Sequence, residues 1–228
     1  MESSNRKSHT ELEKIYYWTA SIHKWNPLLA DDRNKNIIMD SLKYLSDLNL
    51  ITVYAFVIMP DHLHLIWQQN GKNGKETPKG SFMKYTAHLF LKQLKDSGEA
   101  ETFLVSASNK KYEIWQRDSL GIEIYSSEVA MQKLGYIHVN PLKGKWFLAK
   151  DDISYYYSSA AFYHNGTNDF GFLKNIYQVF DGDWLGSWRH EPRRGSNDGK
   201  EKSYPRLGSC LHEPSSKLKI LLKIKYFL

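Results

Sequence analysis

The chain has 228 residues, of which 41% are hydrophobic and 25% charged, a composition typical of a globular protein with room for a buried core. A single cysteine, Cys210, excludes an internal disulfide framework and a cysteine-based zinc site. The N-terminal residues carry no apolar stretch suited to a signal peptide, and no apolar run approaches membrane-spanning length. The sequence therefore predicts a cytoplasmic protein with no membrane partner.

The net charge of +6 is concentrated near the C-terminus. Residues 183–228 contain ten basic and five acidic side chains, so residues 1–182 are close to neutral. Overall charge is therefore weak support for nucleic-acid binding by the main part of the chain, and local clusters must carry that argument. The change in composition predicts a folded domain at 1–182 and a basic, flexible tail at 183–228.

Hydrophobic periodicity and turn residues divide the first 182 residues into alternating strands and helices. The helix at 127–140 stops before Pro141 and is capped by Ser126 or Ser127. In chain order the predicted elements are a strand at 15–25, a helix opened by Pro27, strands at 51–59 and 62–68, a helix at 81–95, a strand, turn and strand at 111–125, and the helix at 127–140.

This order of elements is the split β-α-β pattern of ferredoxin-like folds. It predicts the α+β class, with an antiparallel sheet of four to five strands and helices packed on one face. The other face of such a sheet is then available for a ligand.

Two histidines, His62 and His64, stand two residues apart in the third predicted strand. Side chains at i and i+2 of a strand point to the same face, so both imidazoles can reach one metal ion while Leu63 faces the core. With nine histidines in the chain, such a pair also arises by chance, and the pair alone does not decide between the two interpretations.

The helix at 127–140 presents two different rows of side chains. Ala130, Leu134 and Ile137 form an apolar stripe, which predicts a buried face. Lys133, Tyr136 and Asn140 form a separate row at helical spacing. A phenol can act as a nucleophile, and an amide oxygen suits Mg²⁺ or Mn²⁺. Most helical tyrosines pack in a core, however, and an asparagine at a helix end is also a common C-terminal residue.

Four segments together resemble the REP-associated tyrosine transposases, a family of single-tyrosine HUH enzymes. FVIMPDHLHLIW at 56–67 resembles the family's His-hydrophobic-His metal motif, and LGYIHVNPLKGKW at 134–146 resembles its Tyr-Ile-x-x-Asn-Pro helix end. IWQRDS at 114–119 and YYYSSAAFY at 155–163 are similar to two further segments of that family. The resemblance covers about residues 12–180, with the motifs in the family's order.

The resemblance implies a role for each residue of these motifs. His62, His64 and Asn140 would hold a divalent metal, Mg²⁺ or Mn²⁺, and Tyr136 would be the catalytic tyrosine. Tyr85, on the preceding helix, is the rival nucleophile, but it has no Asn four residues further on. The implied activity is cleavage and rejoining of single-stranded or hairpin DNA, including palindromic repeats, through a 5′-phosphotyrosine intermediate, by a monomer or a homodimer.

Basic residues alternate with tryptophans in two places, a pattern that suits unpaired bases and phosphates. Buried tryptophans beneath a solvated basic surface would give the same pattern, and the sequence leaves both interpretations open. The candidate DNA-binding residues are Lys110, Lys111, Trp115 and Arg117 in the first cluster, and Lys143, Lys145 and Trp146 in the second.

Three other classes of protein remain possible at this point. One is a domesticated, repressor-like DNA-binding protein without transposition activity. A plasmid relaxase or replication initiator would use the same chemistry, but those proteins usually carry further domains. An RNA-binding ferredoxin-like module would need neither the metal nor Tyr136.

Overall fold

The computed structural model describes residues 10–117 and 119–180. The predicted tail at 183–228, with Cys210, lies outside the described residues. None of the helices in the described ranges combines the length and apolar character needed to cross a membrane. The strands are β1 (Ile15–Ser21), β2 (Ile51–Ile58), β3 (His62–Gln69), β4 (Leu104–Ala107), β5 (Lys110–Tyr112) and β6 (Leu120–Glu123), and the α-helices are α1 (Asp32–Asp47), α2 (Pro78–Asp96), α3 (Ser127–Val139) and α4 (Ala160–Asn165).

The main sheet has four strands in the order β2-β3-β1-β6, and every neighbouring pair is antiparallel. This is the strand order expected of a ferredoxin-like fold, so the predicted fold class is confirmed. In the β1–β3 pairing, Thr19 lies opposite His64 and Ser21 lies opposite His62. The pairing therefore places the end of β1 beside both histidines.

The segment predicted as strand, turn and strand at 111–125 is divided between two sheets. β5 pairs with β4 in a separate two-stranded sheet, whereas β6 pairs with β1. Between them the chain crosses the end of β1, where the Gln116 N–H donates to the Ser21 carbonyl at 2.8 Å. Residues 114–116 of the IWQRDS segment thus fasten the β4–β5 sheet to the end of β1.

Three helices begin where the sequence supplies a cap, and at α3 the Ser126 side chain accepts from the Val129 N–H, as predicted. The Asp31 side chain accepts from the Arg33 N–H at the start of α1, and the Thr77 side chain accepts from the Gly80 N–H at the start of α2. These caps satisfy amide groups that have no partner inside the helix. Pro27 precedes a short 3-10 turn, and α1 itself starts at Asp32.

The helices cover both faces of the sheet, which differs from the expectation that they all pack on one. The face covered by α1 and α2 has a core that includes Ile38 and Leu42 from α1 and Phe82 and Phe90 from α2. We call this the helical layer. The physical reason for two helices here is the wide apolar surface that the alternate residues of β1, β2 and β3 present.

The opposite face, which we call the site face, carries His62 and His64 and is partly covered by α3. Ala130, Leu134 and Ile137 of α3 are fully buried there, in a second core formed with the other set of strand residues. The apolar stripe predicted for this helix is therefore confirmed. Burial of that stripe requires an apolar surface that α1 and α2 do not already cover. Helix α3 therefore packs on the site face and covers part of the face predicted to be open.

The outer edge of β2 is covered by residues that follow α3. The Ser159 N–H donates to the Phe56 carbonyl and the Ile58 N–H donates to the Tyr157 carbonyl, both at 2.9 Å. The fully buried Ser159 hydroxyl also lies 3.1 Å from the Phe56 amide nitrogen, from which it accepts, and 2.9 Å from His138 Nε2. The YYYSSAAFY segment thus protects a strand edge and anchors the end of α3.

Replacing Ser159 with alanine is expected to lower the free energy of unfolding by about 1–3 kcal/mol, because buried polar groups on β2 and on His138 lose a partner. Urea unfolding measures the change. Ser154→Ala is the matched control, since the exposed Ser154 hydroxyl donates to the Asp151 carbonyl at the surface, and its effect should stay within about 0.5 kcal/mol. Equal losses for the two variants would contradict this role for Ser159.

Candidate active site

The two histidines of β3 lie side by side on the site face. Their ring centroids are 4.8 Å apart and the ring planes meet at 73°. The intervening Leu63 is fully buried in the helical layer, as the alternation of strand side chains requires. His64 is buried and His62 is partly exposed, so the pair extends from the core toward solvent.

Each imidazole has its Nδ1 atom held by a neighbouring side chain. His62 Nδ1 lies 2.6 Å from Asp61 Oδ1, and His64 Nδ1 lies 2.8 Å from both the Tyr17 hydroxyl and the Thr19 hydroxyl. Metal-binding histidines typically use one nitrogen for the metal and donate a hydrogen bond from the other. The arrangement therefore fits a divalent ion held through the Nε2 atoms, with each Nδ1 nitrogen held by the oxygen atoms beside it.

Asp61 connects the histidine pair to the loop after α3. Its other carboxylate oxygen lies 3.0 Å from Lys145 Nζ, and its side chain is buried. Burial opposes ionisation, but hydrogen bonds from His62 and Lys145 hold the pKa of Asp61 below its usual value. An ionised Asp61 is a strong hydrogen-bond acceptor 2.6 Å from His62 Nδ1.

Tyr136 lies next to the buried histidine. Its ring centroid is 5.4 Å from that of His64 and 6.2 Å from that of Tyr17, both in edge-on contact. The Tyr136 side chain is 46% exposed, so a substrate can approach it. Lys133, one turn earlier on α3, places its Nζ 5.1 Å from the centre of the Tyr17 ring. A cation therefore lies on the same side of α3 as the phenol.

Asn140 is one helical turn beyond Tyr136. Helix α3 ends at Val139, one residue earlier than predicted, but the backbone of Asn140 keeps helical angles and continues into a short 3-10 turn, Asn140–Leu142. The spacing of Tyr136 and Asn140 along one side of the helix is therefore preserved. The side chain of Asn140 is half-buried.

Tyr85 lies on α2, and the buried residues of that helix, including Phe82 and Phe90, belong to the helical layer. The sheet therefore separates α2 from the histidine pair. His138, two residues after Tyr136, is buried against Ser159, and burial lowers its pKa to about 3. Neither residue lies among the groups around His62 and His64.

The first basic cluster differs from its expected role. Trp115 is 6% exposed and its Nε1 donates to the Thr86 hydroxyl at 3.0 Å, so the expected stacking of bases on Trp115 is wrong, because almost none of the ring surface is exposed. Lys110 and Arg117 both pair with Glu113. Burial alone would raise the pKa of Glu113. The hydrogen bond from Lys110 and the nearby charges outweigh burial and hold that pKa below its usual value. Lys111 is exposed.

The second basic cluster lies beside the histidine pair. Lys145 contacts Asp61, as described above, and its Nζ also lies 4.6 Å from the centre of the Trp146 ring. Trp146 is half-buried against the core of the site face, and Lys143 is exposed. Of the candidate DNA-binding residues, Lys145 is thus the one that the structure connects to a predicted metal ligand.

Sequence reasoning missed the residues that position the imidazoles. Tyr17 and Thr19 alternate with the buried Trp18 on β1, and the pattern gave no register for β1 against β3. Asp61 directly precedes His62, and the spacing of the histidines gave no indication that its carboxylate holds the His62 ring. Within the described ranges, no group of three or more His, Cys, Asp and Glu side chains is placed to hold a metal ion, and Asn140 belongs to none of those residue types.

The sheet order and the placement of the helices define a ferredoxin-like α+β domain with a tyrosine-bearing helix on its site face. A REP-associated tyrosine transposase bound to a REP hairpin has this fold, with a TM-score of 0.50 and 15% sequence identity over 76% of this chain and 93% of that chain. The described chain therefore has the fold of a REP-associated tyrosine transposase, as the resemblance in sequence motifs implied.

A candidate transposase from Deinococcus radiodurans R1 matches more weakly, with a TM-score of 0.35 and 17% identity over 58% of this chain and 95% of that chain. A similarity at that level carries no argument about fold or function. No protein-family model and no curated protein matches the sequence.

The double variant Tyr17→Phe, Thr19→Val removes both hydroxyls that contact His64 Nδ1. It is expected to lower the affinity for Mn²⁺ about 10- to 100-fold, because the imidazole loses the groups that orient it. Calorimetric titration measures the affinity. Tyr16→Phe is the control, since Tyr16 is adjacent on β1 but belongs to the helical layer. Unchanged Mn²⁺ affinity in a folded double variant would contradict this positioning role.

Proposed function

We propose that this protein is a metal-dependent transposase, an HUH endonuclease that cleaves and rejoins single-stranded or hairpin DNA with Tyr136 as its nucleophile. The observation that carries the proposal is the exposed Tyr136 ring beside the imidazole of His64, on the face where His62 and His64 stand together. The fold shared with a REP-associated tyrosine transposase supports it.

The proposed metal ligands are His62, His64 and Asn140. Two imidazole nitrogens with held Nδ1 atoms and an amide oxygen form a donor set suited to Mg²⁺ or Mn²⁺. When bound, such an ion draws charge from a phosphate oxygen and helps to orient the phosphate.

Tyr136 gives up its phenolic proton to water, and its oxygen forms a bond to the phosphorus as the bond from phosphorus to the 3′-oxygen breaks. The leaving 3′-oxygen takes up a proton from water, so no net proton is released. One phosphodiester replaces another, so rejoining by a 3′-hydroxyl needs no external energy source. Lys133, three residues before Tyr136, supplies a cation on the same side of α3.

The proposed partner is single-stranded or hairpin DNA with palindromic repeats. The transposase that shares the fold is bound to a REP hairpin. In this chain, exposed Lys143 and half-exposed Trp146 follow α3, close in sequence to the proposed nucleophile, and they are suited to a phosphate and a base respectively.

Tyr136→Phe is expected to abolish the covalent protein–DNA adduct while leaving DNA binding largely intact, because the ring remains and the nucleophilic oxygen is lost. The substrates are hairpin-forming single strands from the DNA on either side of the coding sequence, with Mg²⁺ or Mn²⁺. Denaturing gel electrophoresis with a 3′-labelled strand detects the adduct.

Tyr85→Phe is the matched control and should form the adduct at the parent's rate. The proposal fails if the parent protein binds the hairpins but forms no adduct with either metal, which is the behaviour of a repressor-like DNA-binding protein. It also fails if Tyr85→Phe, rather than Tyr136→Phe, removes the adduct.

A further inference from the structure

An exposed tryptophan, Trp25, lies at the other end of the histidine pair from Tyr136. The Trp25 ring centroid is 6.0 Å from that of His62, in edge-on contact, while Tyr136 contacts His64. The Trp25 side chain is 53% exposed. Two exposed rings therefore flank the two imidazoles, one beside each histidine.

The backbone at Trp25 adopts an unusual conformation. Lys24 and Trp25 both have positive φ angles, 53° and 55°, in the left-handed region that residues other than glycine rarely adopt. Two consecutive residues of this kind persist only where the surrounding structure holds them, and such strain is concentrated at functional sites. Burial of the indole does not explain the conformation, because the ring is exposed.

Backbone hydrogen bonds fasten this loop to the turn that precedes His62. The Ile22 N–H donates to the Asp61 carbonyl, and the Leu29 N–H donates to the Pro60 carbonyl, each at 2.8 Å. These bonds lie on either side of Trp25 in the chain. The backbone that carries Trp25 is therefore anchored to the turn before His62, and the indole surface is presented to solvent.

Trp25 is more exposed than the other tryptophans of the described ranges, of which Trp146 is half-buried against the core of the site face and the rest are buried. Trp18 and Trp67 stack on each other at 5.0 Å and are fully buried in the helical layer, and Trp115 is buried as described above. An exposed indole on an anchored backbone, next to an exposed cation, Lys24, has the chemistry of a nucleobase platform with a phosphate contact beside it.

We propose that Trp25 stacks on the nucleobase immediately 5′ of the cleaved phosphate, on the nucleotide that keeps the 3′-hydroxyl. This inference rests on the proposed function. In an in-line displacement the attacking and leaving oxygens lie on opposite sides of the phosphorus. Tyr136 is beside His64 and Trp25 is beside His62, so the leaving nucleotide lies toward Trp25. Stacking accepts any base, so Trp25 contributes affinity and position rather than sequence selection.

The first test measures binding without cleavage, in the full-length chain carrying Tyr136→Phe. The probe is a fluorescein-labelled oligodeoxythymidine of about ten nucleotides, with Mn²⁺, followed by fluorescence anisotropy. Trp25→Ala is expected to weaken binding about tenfold, the loss typical of one stacked base, and Trp25→Phe should recover most of it. Tyr44→Ala, which removes an exposed ring from α1, is the matched control and should bind as the parent does.

The second test locates the stacked base on a hairpin that the parent protein cleaves, with single abasic nucleotides placed on either side of the cleaved phosphate. Binding is again measured in the Tyr136→Phe protein, so that the hairpin stays intact. An abasic nucleotide on the 5′ side should weaken binding about tenfold in that protein and have little further effect when Trp25→Ala is added to it.

Equal binding by Trp25→Ala and its parent in the first test would overturn the stacking role, whatever the cleavage activity of the protein. If Trp25→Ala instead removes the sensitivity to an abasic nucleotide on the 3′ side, and keeps the sensitivity to one on the 5′ side, the assignment to the leaving nucleotide is overturned. If no hairpin is cleaved, the proposed function fails separately, because binding to oligodeoxythymidine is still measured.

Discussion

The antiparallel pairing of β1 with β3 is the constraint on which the site depends. Because strand side chains alternate between faces, one register places His62 and His64 on the site face and Leu63 in the core. The same register sets Thr19 opposite His64 and brings the Tyr17 hydroxyl diagonally onto the same imidazole. A slip of one residue would bury both histidines among the aromatic rings of the helical layer.

The two imidazoles are supported from different parts of the chain. His64 is held from within the sheet by hydroxyls of β1, and His62 is held by Asp61, which in turn binds Lys145 from the loop after α3. The loop that follows the proposed nucleophile and third ligand is thereby tied to the first proposed ligand. This connection explains how a helix and a strand far apart in sequence can keep a common geometry around one site.

The sequence predicted the fold class, the bounds of β2 and β3 and the buried stripe of α3, because these depend on local periodicity. It did not predict that α3 lies on the site face, since a helix pattern gives a buried side but not the surface that it meets. Trp115 and Trp25 show the same limit in opposite directions. The basic residues around Trp115 suggested exposure, yet its ring is buried in the helical layer. Trp25, in an aromatic stretch predicted as strand, is exposed at the end of a short 3-10 helix, His23–Trp25.

The central claim is that His62, His64 and Asn140 hold one divalent ion beside Tyr136. Anomalous diffraction from crystals of the protein grown with Mn²⁺ tests it most directly, because the manganese signal gives the position of the ion without reference to activity. The account predicts one peak at coordination distance from Nε2 of both histidines and from the Asn140 side-chain oxygen. A bound manganese elsewhere, or an empty site in crystals at saturating Mn²⁺, would contradict it.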